Sequence, residues 1–369
     1  MRLVFLLISI IILLSCENKS NINTIKGESQ FIDSFEVHGM ESRCEIQSFW
    51  YMNDSTLLSY NTEGINVSYY NDRRGDKVYK AGKRLAVEPG QLLNGFFRDS
   101  RGRFRSIDEQ NNLIKYDSAF KVIQKIPFTY SFPYFKESFI IGHNGTAPAI
   151  LMGDTLICLY AHGDVKDYYS SYFKEKSIVE IVFKNDSVKG VKTYFDKPKG
   201  LKNYFAPFPF HVYNQVSNSL VLNFPCYDTL YTYNRSTKKY KSIAINNRDY
   251  TLPKDYDNNK LSDFAYLSKY QLANFYYWSM YYNELTQHYI LFYTKPAMPK
   301  NKNNLVGFGN VKLQAIVLDD NFQIIQYLTF DNMYGDMKNF FFYPGKGLVM
   351  PKENNVSDYA NKKFYIYNF

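Results

Sequence analysis

The stretch that decides the fold runs from Gly95 to Phe128. It opens Phe96-Phe97-Arg98, turns at Asp99-Ser100-Arg101-Gly102, and continues Arg103-Phe104-Arg105-Ser106-Ile107-Asp108. A second turn at Glu109 to Asn112 leads into Leu113-Ile114-Lys115-Tyr116-Asp117, and Lys121-Val122-Ile123-Gln124-Lys125-Ile126 follows. Four short runs of β-favouring residues, separated by Asp, Asn, Gly and Ser, describe an antiparallel meander of four strands. Gly102 supplies the positive φ that so tight a turn requires.

Weaker echoes of this unit recur. Asn53-Asp54-Ser55-Thr56-Leu57-Leu58, Gly153-Asp154-Thr155-Leu156-Ile157-Cys158 and Tyr227-Asp228-Thr229-Leu230-Tyr231 each set an Asp-Ser/Thr turn before a strand. Hairpins are expected at Phe275 to Tyr282 with His288 to Tyr293, and at Val311 to Leu318 with Gln323 to Phe330. Asn339 to Tyr343, Gly347 to Met350 and Lys363 to Phe369 read as closing strands. Lys254 to Leu272 differs: Leu261, Phe264, Ala265, Leu267 and Leu272 have near-helical spacing, so a short helix or a loop insertion is expected there. With 35 Tyr and 30 Phe among 369 residues, the composition itself is that of a β protein. A single sandwich would be oversized at this length, whereas a propeller repeats four-stranded antiparallel blades around a channel. Blades of about 40 to 50 residues give six to eight, and long insertions favour six or seven.

The first residues carry a different message. Met1-Arg2 precedes an apolar run from Leu3 to Leu14 that ends Leu13-Leu14-Ser15-Cys16. A positive start, a short apolar core and a small residue before the cut describe a secretory signal over residues 1–15. The run is shorter than the roughly 20 residues of a membrane span. Its end resembles a bacterial lipobox, which makes Cys16 the expected site of lipid attachment. Each buried CH₂ of such a lipid contributes roughly 0.8 kcal/mol, so two or more chains anchor stably. Residues 16–30, rich in Asn, Ser, Lys and Glu, are expected to form a tether, and residues 31–369 a single propeller. The expected location is the cell envelope, as an outer-membrane lipoprotein facing either the periplasm or the surface.

The lipobox, the Gly95 to Phe128 unit and the Tyr-rich block Phe275 to Tyr293 together resemble the propeller lipoproteins of Bacteroidota. So does the ending: Gln314-Ala315-Ile316-Val317-Leu318-Asp319 with Phe322, Phe340-Phe341-Phe342 and Gly345-Lys346-Gly347-Leu348. The group in question is catalogued only as a domain of unknown function, of the six-bladed, TolB-like type. The resemblance implies a propeller and an envelope address, and no catalytic residue.

The formal charge of +9 is dispersed, apart from the four arginines between Arg98 and Arg105. A solvated basic surface explains it, with weak attraction to acidic glycans or anionic headgroups, and no nucleic acid is expected as a partner. Besides Cys16 the chain has Cys44, Cys158 and Cys226, so at most one disulfide can form among these three. There is no His-Glu-x-x-His, no Gly-x-Ser-x-Gly, no P-loop and no dinucleotide fingerprint. Neither a metal site nor a cofactor is therefore expected, and no catalytic residue is assigned.

Loop and aromatic residues supply the candidate ligand-binding set: His143, His162, Tyr168, Tyr169, Tyr204, Phe208 and His211. Pro207 and Pro209 argue against an interior strand in the Asn203 to His211 segment. Asp-Ser/Thr steps resemble Bacteroidota O-glycosylation sites and make Ser55, Ser118, Thr155, Ser187 and Thr229 candidates, although a turn accounts for the same residues. The sequence thus points to an envelope-anchored propeller that binds a glycan, a peptide or a partner protein. The alternative is a polysaccharide lyase or hydrolase built on a propeller.

Overall fold

The computed structural model describes the backbone of the strands given below. It describes most side chains of residues 93–127, 149–160, 176–201, 209–257, 263–297 and 311–330. The 93–127 blade is an antiparallel meander of Leu93–Arg98, Phe104–Asp108, Asn112–Tyr116 and Val122–Pro127. In the 150–194 blade, Ser138–Ile141 and Ile150–Met152 both pair with Thr155–His162, so the inner position is filled by a split strand. Ile178–Lys184 and Ser187–Tyr194 follow outward. The 210–244 blade contains Phe210–Asn214, Ser219–Asn223, Thr229–Asn234 and Lys239–Ala244. The 276–330 blade contains Tyr276–Asn283, His288–Thr294, Leu313–Leu318 and Ile324–Phe330.

These four separate sheets account for the described blades; six or seven separate sheets are not seen. The remaining strands form one eight-stranded sheet, in the order Phe341–Tyr343, Gly347–Pro351, Asn361–Asn368, Gln30–His38, Asp76–Leu85, Gly64–Arg73, Thr56–Asn61, Ser48–Asn53. The physical reason is one junction: Gln30–His38 and Asp76–Leu85 meet in parallel at Glu36↔Val78, where every other pairing in the sheet is antiparallel. Ile25–Lys26, within the stretch read as a tether, pairs in parallel with Gln326 and Tyr327 on the outer edge of the 276–330 blade.

The cores show why the sheets form a propeller. In a strand, successive side chains point to opposite faces. Leu156, Cys158 and Tyr160 join Phe97, Ile107 and Leu113 in one buried cluster. Their neighbours Ile157 and Leu159 join Leu220, Leu222 and Phe224 in the next. Val221 then points the other way, to Tyr277, Met280, Tyr289 and Tyr293. Finally Tyr281, Ile290 and Phe292 pack with Phe330 and Tyr367. The 150–194, 210–244 and 276–330 blades therefore bury both faces, one toward the preceding and one toward the following part of the chain. This is an all-β propeller of four-stranded antiparallel blades. Double burial also explains why Ser219–Asn223 and Phe104–Asp108 are buried at every position, the polar Arg105, Ser106 and Asp108 included.

Four of the turns share one rule. Asp99, Asp108, Asp117 and Asp319 each use Oδ1 to accept the backbone N–H groups two and four residues on. The residue three on then has a positive φ: Gly102 (74°), Asn111 (58°), Phe120 (60°) and Phe322 (62°). This is the three-residue hairpin loop with a left-handed residue at its end. The carboxylate satisfies donors that the tight turn would otherwise leave without a partner.

Asp99 does more. Burial pushes its carboxyl up, but the N–H groups of Arg103 and Arg101 and the guanidinium of Arg105 outweigh that and hold it below its ordinary value. Arg105 is buried, 3.0 Å from Asp99, and donates to the Phe104 carbonyl at 2.7 Å. The most basic run of the sequence thus supplies an internal turn lock as well as surface charge.

Between the third and fourth of these blades lies a helix, α1 (Phe264–Ala273), N-capped by Asp263, whose side chain accepts from the Tyr266 N–H at 2.9 Å. Cys158 and Cys226 are buried and are not joined to each other by a disulfide; Cys44 lies outside the described residues.

Candidate functional site

Two polar clusters flank the interface between the 210–244 and 276–330 blades. The first belongs to the 245–250 loop. Tyr277 donates to Asp228 Oδ1 at 2.7 Å, and the Asn247 N–H reaches Asp228 Oδ2 at 3.1 Å. Burial pushes the Asp228 carboxyl up, offset only in part by these donors. Tyr293 donates to Asp249 Oδ2 at 2.6 Å, and Lys295 lies 2.7 Å from Asp249 Oδ1. Arg248 sits 4.0 Å over the Tyr327 ring. Each carboxylate oxygen of Asp228 and Asp249 is engaged within the protein. The cluster therefore locks one blade to the next and offers a ligand little.

The second cluster is a cleft of about 470 Å³, within the range of about 300–1,000 Å³ usual for small-ligand sites. One wall is the outer half of the 210–244 blade. The register pairs Asn234 with Lys239, Thr232 with Lys241 and Leu230 with Ile243, which places all six on one face. Leu230 belongs to the apolar core on that face. Toward the rim the same face becomes polar, with Thr232, Asn234, Lys239 and Lys241 lining the cleft beside Ser217, Ser219 and Thr237. Tyr289, only 1% exposed, contributes to the lining from the next blade. Its hydroxyl accepts from Asn214 Nδ2 at 2.7 Å. The other wall is the turn Asp320-Asn321-Phe322, with the Phe322 ring 4.9 Å from that of Tyr289. The hairpin rule fixes this wall: Asp319 holds the turn, and the positive φ of Phe322 lets its ring reach Tyr289.

The opposite face of the same blade shows how such an interface looks when closed. There Tyr194, Phe195, Tyr233 and Tyr240 pack ring on ring, at centroid separations of 4.7, 5.7 and 4.6 Å. Aromatic packing continues out to Tyr240 on the last strand. An ion pair joins the blades as well: Arg235 meets Glu180 at 2.9 Å.

Of the ligand-binding residues suggested by the sequence, Tyr204 and His211 have described side chains. His143, Tyr168, Tyr169 and Phe208 fall outside the described residues, as does the His162 side chain; the His162 backbone ends the strand Thr155–His162. Tyr204 packs edge-on against Tyr227 at 5.9 Å, beside the second core cluster. His211 is fully buried in Phe210–Asn214. That strand begins directly after Pro209 and stands at the edge of its sheet beside Ser219–Asn223, a position compatible with the prolines. The structure brings neither Tyr204 nor His211 to the cleft. Among the described residues, no group of three or more His, Cys, Asp or Glu side chains is placed to hold a metal.

Of the Asp-Ser/Thr steps, Ser118 is exposed at the tip of the Asp117 turn, and Ser187 donates to the Lys184 carbonyl at 2.9 Å. Thr155 and Thr229 open strands, half-buried, and Ser55 is outside the described residues. Nothing in the sequence singled out the cleft residues Thr232, Lys239, Lys241 and Phe322 as ligand-binding. They are ordinary hairpin residues until two blades are set side by side.

Comparison with solved structures finds chains that superpose over most of this one. A member of the DUF4221 family from Bacteroides vulgatus ATCC 8482 superposes with a TM-score of 0.62 at 17% identity, covering 92% of this chain and 98% of that one. This chain shares that fold. The protein BF0058 from Bacteroides fragilis NCTC 9343, described as a candidate exported protein, matches at a TM-score of 0.52 and 12% identity, covering 94% and 97%. The β-propeller domain of Cps50 (Swd1) from Myceliophteria_thermophila, at 0.45 and 7% over 92% and 100%, is too loose a likeness to add to this. No protein-family model matches the sequence, and no curated protein does.

Proposed function

We propose that this chain is an envelope lipoprotein, anchored through Cys16, that presents a propeller outside the cytoplasm to bind a glycan, a peptide or a partner protein. The observation that carries the binding role is the 470 Å³ cleft, lined by polar as well as apolar side chains where the blade's opposite interface is packed with tilted aromatic rings. Burying polar groups against nothing is costly, so a packed interface fills such a gap unless a ligand or water uses it. Glycan and peptide arrays probed with the full chain test this, repeated with Thr232→Trp, which fills the cleft. Captured ligands lost in the variant support the role. Ligands captured equally by both would place binding elsewhere.

The anchor rests on the residues from Leu3 to Cys16. Cys16→Ala should leave the chain out of the membrane fraction; unchanged partitioning would remove the lipid. The exposed Ser118 is the best placed of the O-glycosylation candidates, and intact mass of natively expressed protein tests it. We also read the eight-stranded sheet as two further blades fused at the parallel Glu36↔Val78 junction, which makes a ring of six. In that reading the N-terminal strand Gln30–His38 completes the last blade beside Asn361–Asn368.

A further inference from the structure

We propose that the cleft between the 210–244 and 276–330 blades takes an acidic saccharide, with its carboxylate toward Lys239 and Lys241 and its hydroxyls toward the remaining walls. This rests on the binding role of the same cleft.

The argument is one of charge and donor placement. Lys239 and Lys241 stand two apart on one strand, so both point to the cleft face. Among the described residues neither forms an ion pair, whereas Lys115, Lys176, Lys192 and Lys295 all do. Two ammonium groups on one wall fit one anionic group.

The rest of the lining fits no extended polyanion. Asp320, on the facing turn, puts a carboxylate across from the lysines. It would repel a second anionic group but accept hydrogen bonds from hydroxyls. Asn321 donates to Asp320 Oδ1 at 3.0 Å, leaving Asp320 Oδ2 for a ligand. Thr232 adds a hydroxyl that both donates and accepts, whereas the Ser219 hydroxyl is already committed to the Ser217 carbonyl and Asn234. The half-exposed Phe322, held over Tyr289, supplies an apolar surface for the C–H face of a sugar ring. A ligand anionic at one end, rich in hydroxyls and flat on one side matches a uronic-acid unit better than an acidic peptide, whose charge is unrelieved and which carries few hydroxyls.

The test is titration calorimetry on the full chain with an oligouronate, the corresponding neutral oligosaccharide and an oligoglutamate. The oligouronate should bind in preference to both. The Lys239→Gln/Lys241→Gln pair should weaken it by at least about tenfold, as expected when charge-assisted hydrogen bonds are removed. Thr232→Val should weaken it further without changing its salt dependence. Both lysines are exposed, so these variants will fold. An unchanged affinity in the double lysine variant overturns the inference, as does equal or tighter binding of oligoglutamate. Binding of the neutral sugar alone, abolished by Thr232→Trp, would overturn the acidic class and leave the cleft's binding role standing. No binding of any probe to the wild type overturns this inference by itself, while array ligands sensitive to Thr232→Trp would still support the broader role.

Discussion

Replacing Arg235 by Ala should destabilise the propeller through a residue one blade away. Glu180 is only 3% exposed and belongs to the 150–194 blade. Its Oε2 receives Arg235 Nη2 from the next blade at 2.9 Å. The other cation nearby is Lys192, 3.9 Å from Oε1 and with a largely exposed side chain. Removing one partner of a fully buried pair costs about 3–5 kcal/mol, because the other charge is left in a poor solvent. Arg235 is partly exposed and Lys192 can lean in, so about 2–3 kcal/mol is expected here. Unfolding entropy of about 2.1 cal/mol/K per residue makes that a fall in Tm of roughly 3–4 °C for a chain of this size. Differential scanning calorimetry reads it. Glu180→Gln in the Arg235→Ala background should restore most of the loss, since no charge is then stranded. If the single variant melts with the wild type, or the double variant is worse than the single, the pair does not join the blades as described.

The Gly102 turn gives a cleaner case: φ is +74° and nothing lies within 4 Å of an added Cβ, so Gly102→Ala should cost about 1 kcal/mol of purely backbone origin in urea unfolding. Burial pushes the Cys158 and Cys226 thiols far up, so neither should react with a thiol reagent at neutral pH until the protein unfolds; rapid labelling of either in the native state would contradict their placement. The raised Asp228 pKa means that the folded state holds this proton more tightly than the unfolded chain does. Its stabilising contribution is complete below the ordinary value of 3.8 and is lost as pH rises through the folded value. The stability of wild type relative to Asp228→Asn should therefore fall as pH rises from acid toward neutrality, and a difference that is flat or rises would refute the sign. Deleting residues 17–29 removes Ile25 and Lys26 from the edge of Ile324–Phe330, so amide exchange should quicken at Gln326 and Tyr327 and leave His288–Thr294 unchanged.

Much of the strand plan was legible in the chain itself. The 93–127 meander, the Tyr276–Asn283 and Leu313–Leu318 hairpins and the closing strands were readable because aromatic and β-branched runs end at Asp, Asn and Gly turns, a local property. Helix α1 was half-legible: its spacing suggested a helix, and the Asp263 cap that starts it is a local contact too. Asp99, Asp108, Asp117 and Asp319 stand in the sequence as plain turn residues, yet their shared bonding pattern depends on backbone geometry that also admits Phe120 and Phe322.

Local rules could not say which face of each strand meets which neighbour. Composition and periodicity determined that this is a β protein of repeated four-strand units, because side-chain shape and turn chemistry act within a few residues. Only the tertiary structure decided that Val221 and Leu222 serve different cores, that the strands of 30–38 and 76–85 fuse two runs into one sheet, and that Lys239 and Lys241 face Asp320 across a cleft. Each of these joins segments that are remote along the chain. Such contacts are set by the packing of whole blades, and no single stretch of sequence contains them.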